Sequence, residues 1–157
     1  MNKPDMKNPV HFLAFGFGSG LSPKAPGTVG TLAAIPIYLL LMNLTLWWYV
    51  AIVFIVSLVG IYLCEQTSKD MGVHDHGGIV WDEIAGFLLT MVAVVPSWQT
   101  ILAGFLLFRL FDILKPWPIS WLDKNVDGGL GIMLDDIVAG IFAAIGLQLL
   151  IRFEWIV

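Results

Sequence analysis

From Leu46 to Cys64 the chain reads LWWYVAIVFIVSLVGIYLC without one charged side chain. A helix of about 19 residues rising roughly 1.5 Å each nearly covers a hydrocarbon core of about 30 Å, so this segment is predicted to span a membrane. The rival is a helix buried in a large water-soluble protein. Composition counts against it: 58% of the 157 residues are apolar and only 13% charged, which leaves too little polar sequence to wrap such a helix.

The formal net charge is −4, but orientation in a membrane follows the placement of Lys and Arg rather than the sum of charges. Lys3, Lys7, Lys24, Lys69, Arg109, Lys115 and Lys124 lie before, between or at the ends of apolar runs, and Arg152 alone sits near the far terminus. The N-terminal VHFLAFGFGSG superficially resembles a signal peptide, yet it is short, contains His11 and lacks a small-x-small cleavage site, so a retained interfacial helix is expected. With Cys64 as the single cysteine, neither a disulfide framework nor a thiolate metal cluster can form.

A Pro- and Gly-rich segment from Ser19 to Gly30 precedes an apolar run, Thr31 to Met42, which breaks at Asn43 to Thr45 before the long span. A second apolar block runs from Ile84 to Val95, breaks at Pro96 to Thr100 and resumes from Ile101 to Leu114; a last one runs from Ile137 to Ile151. The pattern predicts an all-α fold: one membrane-embedded domain over residues 1–157, a polytopic bundle of about five apolar helices including two helical hairpins. Each arm of the second hairpin is short for a full crossing. Neither hairpin turn carries a charge, so the positive-inside bias puts the opposite segments, around 22–28, 65–83 and 112–136, together in the cytoplasm.

Asp82, Glu83, Asp112, Asp135 and Asp136 sit where apolar helices are expected to begin or end, at the edge of the hydrocarbon. Mid-bilayer, each would cost about 2.5 to 3.5 kcal/mol. An antiparallel hairpin starting at Asp82 and Glu83 and returning at Asp112 brings three carboxylates to one depth, and the last helix adds Asp135 and Asp136. Charges about 4 Å apart repel by roughly 4 kcal/mol at an effective dielectric near 20, so the group calls for a cation. Oxygen-only ligands favour Mg²⁺ or Mn²⁺ over zinc. There is also an internal echo, Asp82-Glu83-Ile84-Ala85-Gly86 against Asp135-Asp136-Ile137-Val138-Ala139-Gly140, whose small residues would let two helices approach closely. The plainer alternative is that acids at helix N-termini merely cap the helix and favour its dipole.

Arg109, Asp112 and Lys115 form a drifting stripe at a helix end closed by Pro116, suited either to a phosphate beside the metal or to an intrahelical ion pair. The segment from Ser22 to Thr31, with Lys24 and Thr28 near a helix N-terminus, can bind an anion or can be an ordinary Pro-Gly turn. Its lysine precedes the glycines, so it is not a nucleotide-binding P-loop. His74 and His76, in the loop leading to Asp82, are candidate general acids or bases, with a solvated loop as the alternative. Asp123 and Asp127 read as turn residues, with Asp127 within conceivable reach of the site.

Four ordered motifs, GFGSGLSPKAPGTVGT (Gly16 to Thr31), MGVHDHGGIVWDEIAG (Met71 to Gly86), FRLFDILKPWPI (Phe108 to Ile119) and LDDIVAG (Leu134 to Gly140), resemble the phosphatidylglycerophosphatase A family over nearly the whole chain. The resemblance implies a multi-pass Mg²⁺-dependent phosphatase of the bacterial inner membrane, its active site facing the cytoplasm, that converts phosphatidylglycerophosphate to phosphatidylglycerol and phosphate. On that basis Asp82, Glu83, Asp112 and Asp136, with Asp135 beside them, would hold Mg²⁺; Lys24, Thr28, Arg109 and Lys115 would bind the phosphate; His74 or His76 would protonate the leaving oxygen. Direct attack by water is favoured over a covalent intermediate, because the Asp-x-Asp and Cys-x5-Arg nucleophile patterns are missing. The expected partner is a phospholipid in the bilayer and not a nucleic acid; the oligomeric state stays open. Two rivals remain, a metal-dependent phospholipid headgroup transferase, whose spaced Asp-Gly-Ala-Arg-Gly-Asp signature is absent, and an ion transporter, which would need ionisable residues near the midplane.

Overall fold

A computed structural model describes residues 3–73 and 76–156, and among them every regular element is helical. In chain order these are α1 (Pro9–Ala14), a 3-10 stretch (Gly16–Leu21), α2 (Pro26–Leu41), α3 (Leu46–Met71), α4 (Trp81–Thr90), α5 (Trp98–Leu114), α6 (Ile119–Asn125) and α7 (Gly128–Arg152). Local sequence sets the boundaries. Asn8 caps α1 by accepting the Val10 N–H at 2.9 Å, with Pro9 in the first helical position. A reciprocal capping box between Ser97 and Thr100 starts α5, so helix takes over half of the expected Pro96-to-Thr100 break. At the other end of α3, Gly72 adopts φ +66, a left-handed conformation natural for glycine, and stops the helix.

Two helices are long and apolar enough to cross a membrane, α3 with 26 residues and α7 with 25. Only 22% of the apolar stretch of α3 is buried against the rest of the chain, against 50% for α7, which makes α3 peripheral and α7 central. α7 packs on α3, α4, α5 and α6. α2 is a shorter apolar helix of 16 residues. α4 has ten residues, about 15 Å, and cannot cross a core of about 30 Å alone.

The arrangement of the hairpins departs from expectation. α2 and α3, joined by a short turn, scarcely touch, because α4 lies between them and packs on both. Eight of the ten residues of α4 are buried, so it needs cover on nearly every side, and two neighbours joined only by a turn provide it. The Tyr49 hydroxyl on α3 donates to the Leu88 carbonyl of α4 at 2.7 Å, and the Tyr38 ring of α2 meets Phe87 of α4 edge-on. Likewise α4 and α5 each lean chiefly on α7 rather than on one another. α7 also starts earlier than expected, at Gly128, which places Asp135 and Asp136 in its third turn instead of at its mouth.

Candidate active site

The acidic site is built by a backbone crossing. Asp82 and Gly86 lie four residues apart on α4, and Asp136 and Gly140 lie four apart on α7, so each carboxylate shares a helix face with a glycine one turn on. A Cβ on Gly140 would sit 2.6 Å from the Gly86 carbonyl oxygen, and one on Gly86 would sit 2.8 Å from the Asp136 carbonyl oxygen. The two backbones are therefore in contact where only glycine fits. Thr90 closes the crossing, its hydroxyl donating to Gly86 O at 2.9 Å and lying 3.4 Å from Gly140 O. The repeated acid-acid-Ile…Ala-Gly pattern thus corresponds to a physical seam.

At one end of that seam, Asp82, Glu83 and Asp136 each offer an oxygen, all within 4.8 Å of one another, with Asp82 and Asp136 buried and Glu83 half-buried. At that spacing each pair of charges repels by roughly 3 to 4 kcal/mol at an effective dielectric near 20. Glu83 Oε2 and Asp136 Oδ2 are buried and accept no hydrogen bond from any described residue. Buried anionic oxygens are normally paired or bound to a metal. An all-oxygen donor set with two such orphaned atoms fits a hard divalent cation. End-capping does not explain Asp136, since the third turn of α7 lies beyond the reach of its N-terminal amides.

Asp112 stands beside this trio. It ion-pairs with Arg109 one turn earlier on α5 and lies against the Asp136 carboxyl. Its position in the last turn of α5 is one the helix dipole disfavours for an anion, which argues for a local cation in its place there. The Arg109 guanidinium, buried to all but 15%, also approaches Glu83 Oε1 at 3.7 Å and joins the α5 end to the α4 start. Gly27, in the first turn of α2, lies directly over both: a Cβ there would fall 2.2 Å from Glu83 Oε1 and 3.1 Å from Arg109 Nη1. The Ser22-to-Thr31 segment is thereby part of the site wall, a contact that the Pro-Gly composition alone did not signal. Thr28 is half-buried beside Gly27, while Lys24 is exposed and forms no ion pair among the described residues.

Two expected site residues, Asp135 and Lys115, pair with one another beside the trio rather than joining it. Asp135 turns away from the trio to Lys115, at 2.6 Å, and Lys115 also binds Asp123 of α6 at 2.5 Å. Burial works against the charge of Lys115, but these two hydrogen bonds more than offset it and hold its pKa above the ordinary lysine value. The stripe Arg109-Asp112-Lys115 breaks because Lys115 caps α5 in the left-handed region, φ 42, which swings it out of helical phase. His76 is half-buried; its Nδ1 accepts the Gly78 N–H at 3.0 Å and its ring packs on Phe15. His74 lies outside the described residues. Asp123 belongs to helix α6 rather than a turn, and Asp127 is the exposed N-cap position of α7.

Sequence reading also missed two anchors. Glu65 of α3 accepts the Gly129 N–H at 2.5 Å and so fastens the start of α7. Buried His11 of α1 reaches Asp70 of α3 at 3.1 Å, which docks the N-terminal helix at the same end of the bundle as the acids.

Residues 12–151 match the family model described as phosphatidylglycerophosphatase A. Similar proteins include the Escherichia coli protein named phosphatidylglycerophosphatase A, 54% identical over 96% of this chain and 87% of its own length. The Haemophilus influenzae protein of the same name is 49% identical over 92% of this chain and 90% of its own. No solved structure matches the chain.

Proposed function

The chain belongs to the phosphatidylglycerophosphatase A family, and from that premise and the acidic site we infer that it hydrolyses phosphatidylglycerophosphate to phosphatidylglycerol and inorganic phosphate. The observation that carries this reading is the trio Asp82, Glu83 and Asp136, gathered from two helices with their oxygens within 4.8 Å of one another, of which the buried Glu83 Oε2 and Asp136 Oδ2 accept no hydrogen bond from the described residues. We assign these three to a Mg²⁺ ion, with Asp112 at its edge. Such an ion would neutralise phosphate oxygens and activate water for in-line attack on phosphorus. Arg109, fixed between Asp112 and Glu83, supplies positive charge to the incoming phosphate, Lys24 adds a second charge from beside the start of α2, and Thr28 a hydroxyl donor. In neutral His76 the Gly78 contact leaves the proton on Nε2, from which we assign protonation of the leaving glycerol oxygen.

We place the protein as a multi-pass protein of the bacterial inner membrane with this site at the cytoplasmic face. Two features support that placement. The turn around 42–46 and the turn 91–94 meet around one small cleft of about 120 Å³, at the end of the bundle away from the acids. Among the described residues Arg152 is the one Lys or Arg on that far side, because α7 runs from the acidic end to it. The short α4 and its turn then act as a half-crossing packed inside the bundle, while α2, α3, α5 and α7 provide the longer walls.

The deciding experiment follows inorganic phosphate release by purified protein in nanodiscs holding phosphatidylglycerophosphate, with Mg²⁺ and with a chelator. Release that needs Mg²⁺ is expected. Absence of release in Mg²⁺, or headgroup transfer from a nucleotide-linked lipid donor instead, would overturn the assignment.

A further inference from the structure

The chain has seven tryptophans, and the fold sorts them. Trp81, beside Asp82 at the start of α4, is buried, its indole N–H donating to the Val56 carbonyl at 3.0 Å. Trp47 and Trp48 begin α3, Trp98 begins α5 and Trp155 follows α7; these four are exposed and lie at the end of the bundle away from the acids. Trp117 and Trp121, 78% and 53% exposed, are the pair at the acidic end. Indole combines an apolar body with a polar N–H, and exposed tryptophans gathered at two ends of an apolar helical bundle mark the two membrane–water boundaries.

The pair at the acidic end has an unusual mount. Trp117 precedes α6 and Trp121 lies on it, and together with Pro118 and Leu122 they outline an open depression of about 420 Å³. The opposite side of α6 is fixed: Ile119 is fully buried, and the helix packs on α7. Lys115 fastens it by bonding Asp123 on α6 and Asp135 on α7, the residue next to Asp136. α6 therefore has one face tied to the site and one face of exposed indoles.

We propose that α6 is a lipid-contacting platform, with Trp117 and Trp121 seated in the headgroup–acyl boundary of the leaflet that supplies the substrate, and Lys115 holding that platform in register with Asp136. This rests on the lipid-phosphatase reading for its role in substrate capture, but its membrane contact is independent of it. The occupant is a phospholipid boundary rather than a protein, because the indoles at the acidic end are the counterpart, on the opposite leaflet, of the four that mark a boundary at the far end. Seven residues of helix fixed at that depth would let a lipid present its phosphate to the acids without leaving the bilayer.

Two measurements on the full chain test it. In vesicles, the fluorescence of wild-type protein is compared with that of Trp117→Phe/Trp121→Phe in phospholipid brominated near the top of the acyl chain. The quenched part of the emission should include the signal that the double variant loses. If that lost signal resists the brominated lipid and is instead quenched by aqueous acrylamide, the platform is in water and the proposal is wrong, whatever the enzyme does. Turnover of Trp117→Ala/Trp121→Ala is then measured on bilayer substrate at varied surface fraction and on a dispersed short-chain analogue of the same headgroup. A several-fold rise in apparent KM for bilayer substrate is expected, with kcat and short-chain turnover retained. Equal losses on both substrates would make α6 merely structural. Wild-type protein inert on both would instead refute the phosphatase reading and leave the quenching result to decide the platform.

Discussion

Replacing Gly140 with alanine tests the seam that brings the carboxylates together. The new Cβ would stand 2.6 Å from the Gly86 carbonyl oxygen, a backbone atom that no rotamer change can move. Ordinary contact begins near 3.4 Å, so α4 and α7 must part by about 0.8 Å at the crossing, one turn from Asp82 and Asp136. Overpacking of this kind costs about 1 to 3 kcal/mol. The larger effect falls on chemistry, since misplacing catalytic groups by about 1 Å can cost about 100-fold in rate. Gly146→Ala is the control: its Cβ meets only Leu107 side-chain atoms at 3.5 Å or beyond, and alanine gains about 1 kcal/mol of helix propensity. Phosphate release and thermal unfolding are measured on both in the same lipid. The expected outcome is a loss of one to two orders of magnitude in turnover for Gly140→Ala with lowered Tm, and neither for Gly146→Ala. If the two variants behave alike, the glycine crossing does not position the site.

Gly27→Ala should lower turnover strongly with little change in Tm, because its Cβ would strike the Glu83 carboxylate, a side chain that can move aside but not stay in place; a folded, fully active variant would remove α2 from the site. Asp136→Asn should raise Tm in chelator, since it removes a buried acid crowded by neighbouring carboxylates, while abolishing turnover; a lowered Tm in chelator would mean that the three carboxylates do not strain the metal-free fold. Lys115→Met should destabilise the protein by about 1.5 to 3 kcal/mol, as it leaves Asp123 and Asp135 without their charged partner, and denaturation with unchanged midpoint would contradict the staple. Lys24→Ala, by contrast, should raise the apparent substrate constant and leave Tm alone; an unchanged constant would reduce its segment to a wall and a turn.

What could be read in the sequence was what periodicity and charge placement encode. The uncharged run at 46–64 announced α3, and the two acid pairs each followed by Ala-Gly announced a close helix approach. Partner choice was not encoded there. Short connections suggested that α2 would pack on α3 and α4 on α5, but a connection fixes sequence order, not contact, and the almost wholly buried α4 took the space between its predecessors. Helical spacing also misdirected Lys115: counted on an ideal helix it follows Arg109 and Asp112, whereas its left-handed backbone sends it to α6 and α7. α6 itself hid in a segment of Pro, Trp and Asp that reads as a turn, and Gly27 became part of the site only through tertiary contact with Glu83 and Arg109.

The most direct test of a divalent ion held between α4 and α7 is a Mn²⁺ titration of the protein in nanodiscs, with free ion followed by electron paramagnetic resonance. Wild-type protein should take up Mn²⁺ saturably, in competition with Mg²⁺, and both Asp82→Asn and Asp136→Asn should lose that uptake. Uptake of equal stoichiometry and affinity in wild type and both variants would show that these carboxylates gather around no ion.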